Sequence, residues 1–239
     1  MKYITSIFIN IFLLIVSALA QTPTITFPGS HIYGNQLIDN LYNQSAAPPD
    51  LSAWTQVNIS GSSTISLTQS PAGTISLVDT GSNGTILHGI TIPAPTGTPY
   101  RVSFLFQSTY HIAGDFMVAE VGWSDGTKFE TITTYSGGCL YQTWNAYNSR
   151  AGYVIPHSGV IWGSTTYYFG LLNDGTNVKF QFSADGVNWD TIYSLLITSS
   201  FLGVGHQNYI FFGIHNETGQ YMAHALRAYD VNSYGKNFP

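Results

Sequence analysis

The 239-residue chain has a single cysteine, Cys139. One thiol excludes an intramolecular disulfide and any multi-cysteine zinc site, and its expected place is that of a small buried strand residue. Charge is equally scarce, with only 8% of residues charged. Disordered chains combine high charge with few aromatics, so this composition argues for a folded one. Lysine and arginine number 7 against 12 acidic residues, a net charge of −5, and no basic cluster stands out. That excludes binding to the nucleic-acid backbone by charge. No G-x-S-x-G nucleophile elbow and no H-E-x-x-H pair is present, and the seven histidines, from His31 to His224, are scattered. There is no internal repeat, no coiled-coil heptad and no low-complexity tract.

What the chain has in quantity is aromatic residues, 15% of the total, and 24 glycines. Both suit strands joined by tight turns, and Thr165 to Ser194 shows the pattern at its clearest. Tyr167, Phe169 and Leu171 alternate along one segment, and Val178, Phe180 and Phe182 along the next, with Lys179 and Gln181 facing the other way. A period of two is that of a half-buried sheet. Asn173-Asp174-Gly175 and Asp185-Gly186 supply the residues hairpin turns require. A third strand is expected to open at Trp189, with Ile192 continuing its apolar face.

The turn NDGTN, a strand, then SADGVNW and a further strand resemble the central hairpins of concanavalin A-like lectin/glucanase domains, a laminin G-like jelly roll. The likeness is to versions in secreted bacterial proteins and in tail or surface proteins of bacterial viruses. It runs from about Leu51 to Val231. It implies an all-β fold, an antiparallel jelly-roll β-sandwich, which hosts lectins, glycoside hydrolases and structural modules alike.

Residues 1–20 read as an export signal. Lys2 precedes an apolar run from Ile4 to Val16, and small residues lead to a cleavage point after Ala20. The run is too short for a comfortable membrane span, so no span is expected once the signal is cleaved, and the protein is expected outside the cell. The rival reading is an uncleaved anchor or a buried N-terminal segment. Residues 21–50 form an extended lead-in broken by prolines, and the sandwich occupies 51–239. Within it, alternation marks strands at Val57–Ile59, Ile65–Leu67, Ile75–Leu77, Ile86–Ile92, Tyr100–Gln107, Asp115–Trp123, Lys128–Tyr135 and Cys139–Asn145, with Tyr209–Ile214 and Tyr221–Val231 closing the domain. Residues 146–165 are expected to be a long connection, and Leu195–Asn208 a loop with a helical turn.

Glycosidic hydrolysis needs two carboxylates about 5–5.5 Å or 6.5–9.5 Å apart. The resemblance implies that a hydrolase would carry them as E-x-D-x-x-E, and none of Glu120, Glu130 and Glu217 begins that motif. No catalytic residue is therefore assigned. Glu120 is the acid to watch, because its strand face is otherwise apolar and burial would raise its pKa; the alternative is a strand-end Glu bonded to a Tyr or Arg101. Sugars offer flat C–H faces to aromatic rings and hydroxyls to amide and guanidinium groups. Tyr141, Trp144, Asn145, Tyr147, Asn148, Arg150 and Tyr153 lie close together, largely in the expected loop, and are the candidate ligand-binding residues. The alternative is that part of this cluster is core.

No cofactor is required. The resemblance implies a structural calcium ion, with Asp230 as the candidate ligand, against the plainer reading of a strand-end aspartate. Four Asn-x-Ser/Thr sequons, at Asn43, Asn58, Asn83 and Asn216, are near the number chance supplies. The expectation is a secreted, non-catalytic carbohydrate-binding module with glycans as partners, acting at a cell or matrix surface. The alternatives are a structural or adhesion component of a virion or appendage, and a glycan hydrolase or lyase. Open sheet edges permit homo-oligomers.

Overall fold

The computed structural model describes residues 49–59, 65–69, 74–81, 84–110, 119–135, 138–158, 166–183, 185–215, 217, 222–231 and 234. They fall within the compact unit His31–Pro239. The expected leader at 1–20, most of the lead-in, and positions such as Asp115 and Trp162 lie outside the described residues.

The strands in chain order are β1 (Thr55–Val57), β2 (Ile65–Gln69), β3 (Ile75–Asp79), β4 (Leu87–Pro93), β5 (Tyr100–Tyr110), β6 (Ala119–Ser124), β7 (Phe129–Tyr135), β8 (Gly138–Ala146), β9 (Ser149–Ser158), β10 (Thr166–Asn173), β11 (Asn177–Ser183), β12 (Asp190–Leu196), β13 (Tyr209–His215) and β14 (Met222–Asp230). They form two seven-stranded sheets, ordered β1-β4-β13-β6-β7-β8-β9 and β12-β11-β10-β5-β14-β3-β2. Every pairing is antiparallel. The chain crosses between sheets several times, and two stacked antiparallel sheets so connected are a jelly-roll sandwich.

The central hairpins form as their turn chemistry dictates. Asp174 Oδ1 accepts the amides of Thr176 (2.9 Å) and Asn177 (2.6 Å), and Gly175 takes φ +87°. Asp185 Oδ1 does the same for Val187 and Asn188 at 2.9 and 2.8 Å. Between them Phe169 and Leu171 of β10 and Val178 and Phe180 of β11 point into the core. Trp123 from the opposite sheet meets Phe180 edge-on at 5.0 Å and donates its indole N–H to Tyr100 Oη at 3.1 Å. Burying such rings is the largest single contribution to a sandwich core.

Three expectations need correction. Trp189 does not open β12, which starts at Asp190. Its ring lies over Gly170 on the outer side of the second sheet, beneath the Arg101 guanidinium at 4.4 Å; a β-carbon at Gly170 would sit 2.7 Å from it. The connection expected at 146–165 is in large part strand β9. Its pattern is hidden because β9 is an edge strand, with exposed Tyr153, Val154 and Ile155 in succession, and because its pairing with β8 slips register three times. Bulges of that kind erase the period of two on which strand reading depends. The candidate ligand cluster therefore sits on strands β8 and β9 and their two-residue turn, not in a long loop.

Candidate functional site on the outer face of the first sheet

In β6, Ala119, Val121 and Trp123 enter the core, so Glu120, Gly122 and Ser124 face outward. Pairing then fixes their neighbours. Thr131 and Thr133 of β7, Gln142 and Trp144 of β8, and Phe211, Gly213 and His215 of β13 share this face. It is not left to solvent. The β8–β9 hairpin folds across it, and the Tyr147 carbonyl accepts the Leu87 amide of β4 at 2.7 Å. Beneath the hairpin, Leu87, Phe129, Trp144 and Phe211 form a second apolar cluster packed by Val57. Gly89 and Gly213 leave room for the Phe211 ring; a β-carbon on Gly213 would lie 2.3 Å from it.

A polar network runs through the same layer. Glu120 is fully buried; Thr131 and Gln142 (3.0 Å) both donate to its Oε1, while Oε2 has no hydrogen-bond partner among the described residues. Gln142 Oε1 in turn accepts from Arg150 at 3.1 Å. Arg150 pairs with Glu217 at 3.0 Å, and Glu217 also meets His215 Nε2 at 3.2 Å and the Thr85 hydroxyl at 3.1 Å. The His215 ring stands edge-on to Trp144 at 4.9 Å. Burial pushes the Glu120 carboxyl above its ordinary range, more strongly than His215 and its hydrogen bonds pull it down. Glu217 moves the other way, to about 2, chiefly through the hydrogen bond with His215. Glu120 is thus a shielded acid, closed off from solvent by the hairpin.

Beside the hairpin tip the face opens into a groove of about 530 Å³. Its walls include Gln56 and Asn58 from β1 and the residue after it, Thr91 from β4, Phe129, Tyr147 and Tyr209. Tyr147 and Tyr209 are 41% and 38% exposed, so both rings are open to a ligand. Its size lies in the range of small-ligand clefts, and aromatic walls with a few amides and hydroxyls are the chemistry that recognises sugar rings.

Of the seven candidate residues, the structure brings Trp144, Arg150 and Tyr153 together, with the Arg150 guanidinium 5.9 and 5.5 Å from the two rings. Tyr147 is the one that lines the groove; Asn145 and Asn148 are exposed on the hairpin. Trp144 is wholly buried. Tyr141 faces the core, where its hydroxyl donates to Glu130 Oε1 at 2.8 Å. The alternation of β8 places Tyr141 opposite to Gln142 and Trp144, as the expected strand at Cys139–Asn145 already implies. Glu130 lies inside the sandwich, its pKa raised by burial. Gln56, Asn58 and Tyr209 come from strands far apart in sequence, and no local motif marks them as companions.

Asp230 is buried at the end of β14, close enough to Arg101 to act on its charge. No group of three or more His, Cys, Asp or Glu is placed to hold a metal ion among the described residues. Among those residues no helix is long and apolar enough to cross a membrane.

No protein-family model matches the chain, and no curated sequence does. Solved structures do match. A xylan β-1,4-xylosidase from Bacillus halodurans aligns with a TM-score of 0.50 at 12% identity, over 77% of this chain and 37% of that one. A functionally unknown protein from Saccharomyces cerevisiae aligns at 0.46 and 15%, over 76% and 95%. An alginate lyase aligns at 0.46 and 14%, over 78% and 98%. The chain spans little more than a third of the xylosidase, and at these identities the likeness is one of fold. The chain has the concanavalin A-like jelly-roll fold.

Proposed function

We propose that the protein binds glycans without cleaving them, and that the groove between Tyr147 and Tyr209 is its site. The observation that carries this reading is that two half-exposed tyrosine rings, Tyr147 and Tyr209, line one cleft together with Thr55, Thr91 and Thr127. Aromatic faces stack on sugar C–H faces, and threonine hydroxyls donate and accept at once to sugar hydroxyls. Tyr153, 60% exposed and held by Arg150, supplies a further ring on the same sheet. Non-catalytic binding is favoured because Glu120 is sealed beneath the hairpin and Glu130 lies in the core, so neither faces a ligand in the groove. The expected export leader would place this activity at a cell or matrix surface.

The test is a glycan array with the parent and with Tyr147→Ala and Tyr209→Ala. Each ring is expected to contribute about 3- to 10-fold in affinity, the range of a single aromatic contact. Binding that survives both substitutions unchanged would remove the site from the groove.

A second reading, an assembly or adhesion module, is favoured by β9. This edge strand presents Tyr153, Val154 and Ile155 to solvent, 60%, 48% and 49% exposed. Open apolar edges pair with other strands. Light scattering of the parent and Val154→Lys would show a larger species collapsing to monomer if that reading holds, and monomer throughout if it fails.

A further inference from the structure

We infer that the groove is built for uncharged glycans and turns away uronate and sulfated ones; this rests on the glycan-binding reading and names its ligand class. Among the described residues the groove is lined by threonine, serine, asparagine, glutamine, small apolar residues and aromatic rings, with no lysine, arginine, histidine, aspartate or glutamate. An anionic sugar seated there would lose hydration with no cation to replace it, a costly exchange. A neutral sugar needs only what the groove has.

The cations of the described chain are committed elsewhere. Lys179 pairs with Asp174 at 2.8 Å, and Arg101 stacks on Trp189 at 4.4 Å, both on the second sheet. Arg227 of β14 donates to Thr74 at 3.2 Å. Lys128 lies over the Phe201 ring at 5.7 Å. Arg150 is held by Glu217 and Gln142. Two charges flank the groove in sequence: Lys128, between Thr127 and Phe129, has its ammonium over the Phe201 ring, and the other is acidic. Asp125 sits between Ser124 and Gly126, both of which line it, and its Oδ1 caps the turn by accepting the Thr127 and Lys128 amides at 2.8 and 2.7 Å. Its carboxylate and the chain's −5 net charge repel a polyanion over about 8 Å at physiological salt.

The experiment is affinity gel electrophoresis of the full chain in gels containing a neutral polysaccharide (arabinoxylan, mixed-linkage β-glucan or galactomannan) or an anionic one (alginate, polygalacturonate or heparin). At least one neutral gel is expected to retard the protein and no anionic gel to do so. The neutral dissociation constant should change by less than about twofold between roughly 20 and 500 mM NaCl, since no ion pair is screened. Thr127→Arg, at an exposed rim position, should gain retardation in an anionic gel. Retardation of the parent by an anionic polysaccharide, lost in Tyr147→Ala, would overturn the charge inference while leaving the groove as a glycan site. Absence of retardation in every gel would overturn the glycan-binding reading itself, and the inference with it.

Discussion

The carbonyl of Tyr147 accepts the amide of Leu87 at 2.7 Å, joining the tip of the β8–β9 hairpin to β4 at the far side of the sheet. That one contact turns an open sheet face into a covered layer and a groove. Arg150 and Glu217 reinforce it, since one lies on the hairpin and the other follows β13. Removing the guanidinium with Arg150→Ala is expected to loosen the clasp by about 1 kcal/mol, the value of a partly buried ion pair with its hydrogen bonds. Amide exchange at Leu87 should then quicken about fivefold. Unchanged exchange would show that packing of Trp144 alone holds the hairpin.

Glu120 predicts a distinctive pH response. Its folded pKa lies above the ordinary value of 4.5, so the folded state holds the proton more tightly than the unfolded chain. Its contribution to stability is therefore whole below about pH 4.5 and fades as the pH rises through the folded value. Glu120→Gln keeps the shape and removes the titration. Melting temperatures of variant and parent should agree near pH 4 and diverge at pH 8, with the variant the more stable. A parent more stable at pH 8 would mean that His215 and Arg150 stabilise the carboxylate beyond the cost of burying it.

Tyr141 separates core from site. Tyr141→Phe deletes the hydroxyl that donates to Glu130 at 2.8 Å and is expected to cost about 1–3 kcal/mol in urea unfolding. Glycan affinity should stay within about twofold, the ring being turned away from the groove. A loss of affinity at unchanged stability would return Tyr141 to the ligand side.

Cys139 is buried in the core, and desolvation pushes its thiol up to about 12. The thiolate is the reactive form, so the folded protein should resist iodoacetamide at pH 8 and react once unfolded in guanidinium. Rapid labelling of the folded chain would place β8 in a different packing.

Much of the fold is legible in particular residues. Phe169 and Leu171 facing Phe182 and Phe180, with the Asp174-Gly175 turn between, leave an antiparallel sheet as the arrangement that buries the apolar side. Glu120 is legible too, as a carboxyl whose burial raises its pKa, although Thr131 and Gln142 rather than apolar groups are its immediate partners. Trp189 misleads because a tryptophan next to a strand reads as core, whereas here glycine at 170 lets it lie on the outer surface. Strand β9 misleads because its side chains are exposed on both faces and its register slips.

Local chemistry thus determined the strands, their turns and the inward residues, because alternation and turn preference act between near neighbours. Tertiary structure alone decided the site. Gln56, Tyr147 and Tyr209 meet only because β1, the β8–β9 hairpin and β13 converge on one face, and Trp144 is buried only because the hairpin folds over it. Those meetings depend on sheet order and hairpin direction, which are set by packing energy summed over the whole sandwich rather than by any short stretch of sequence.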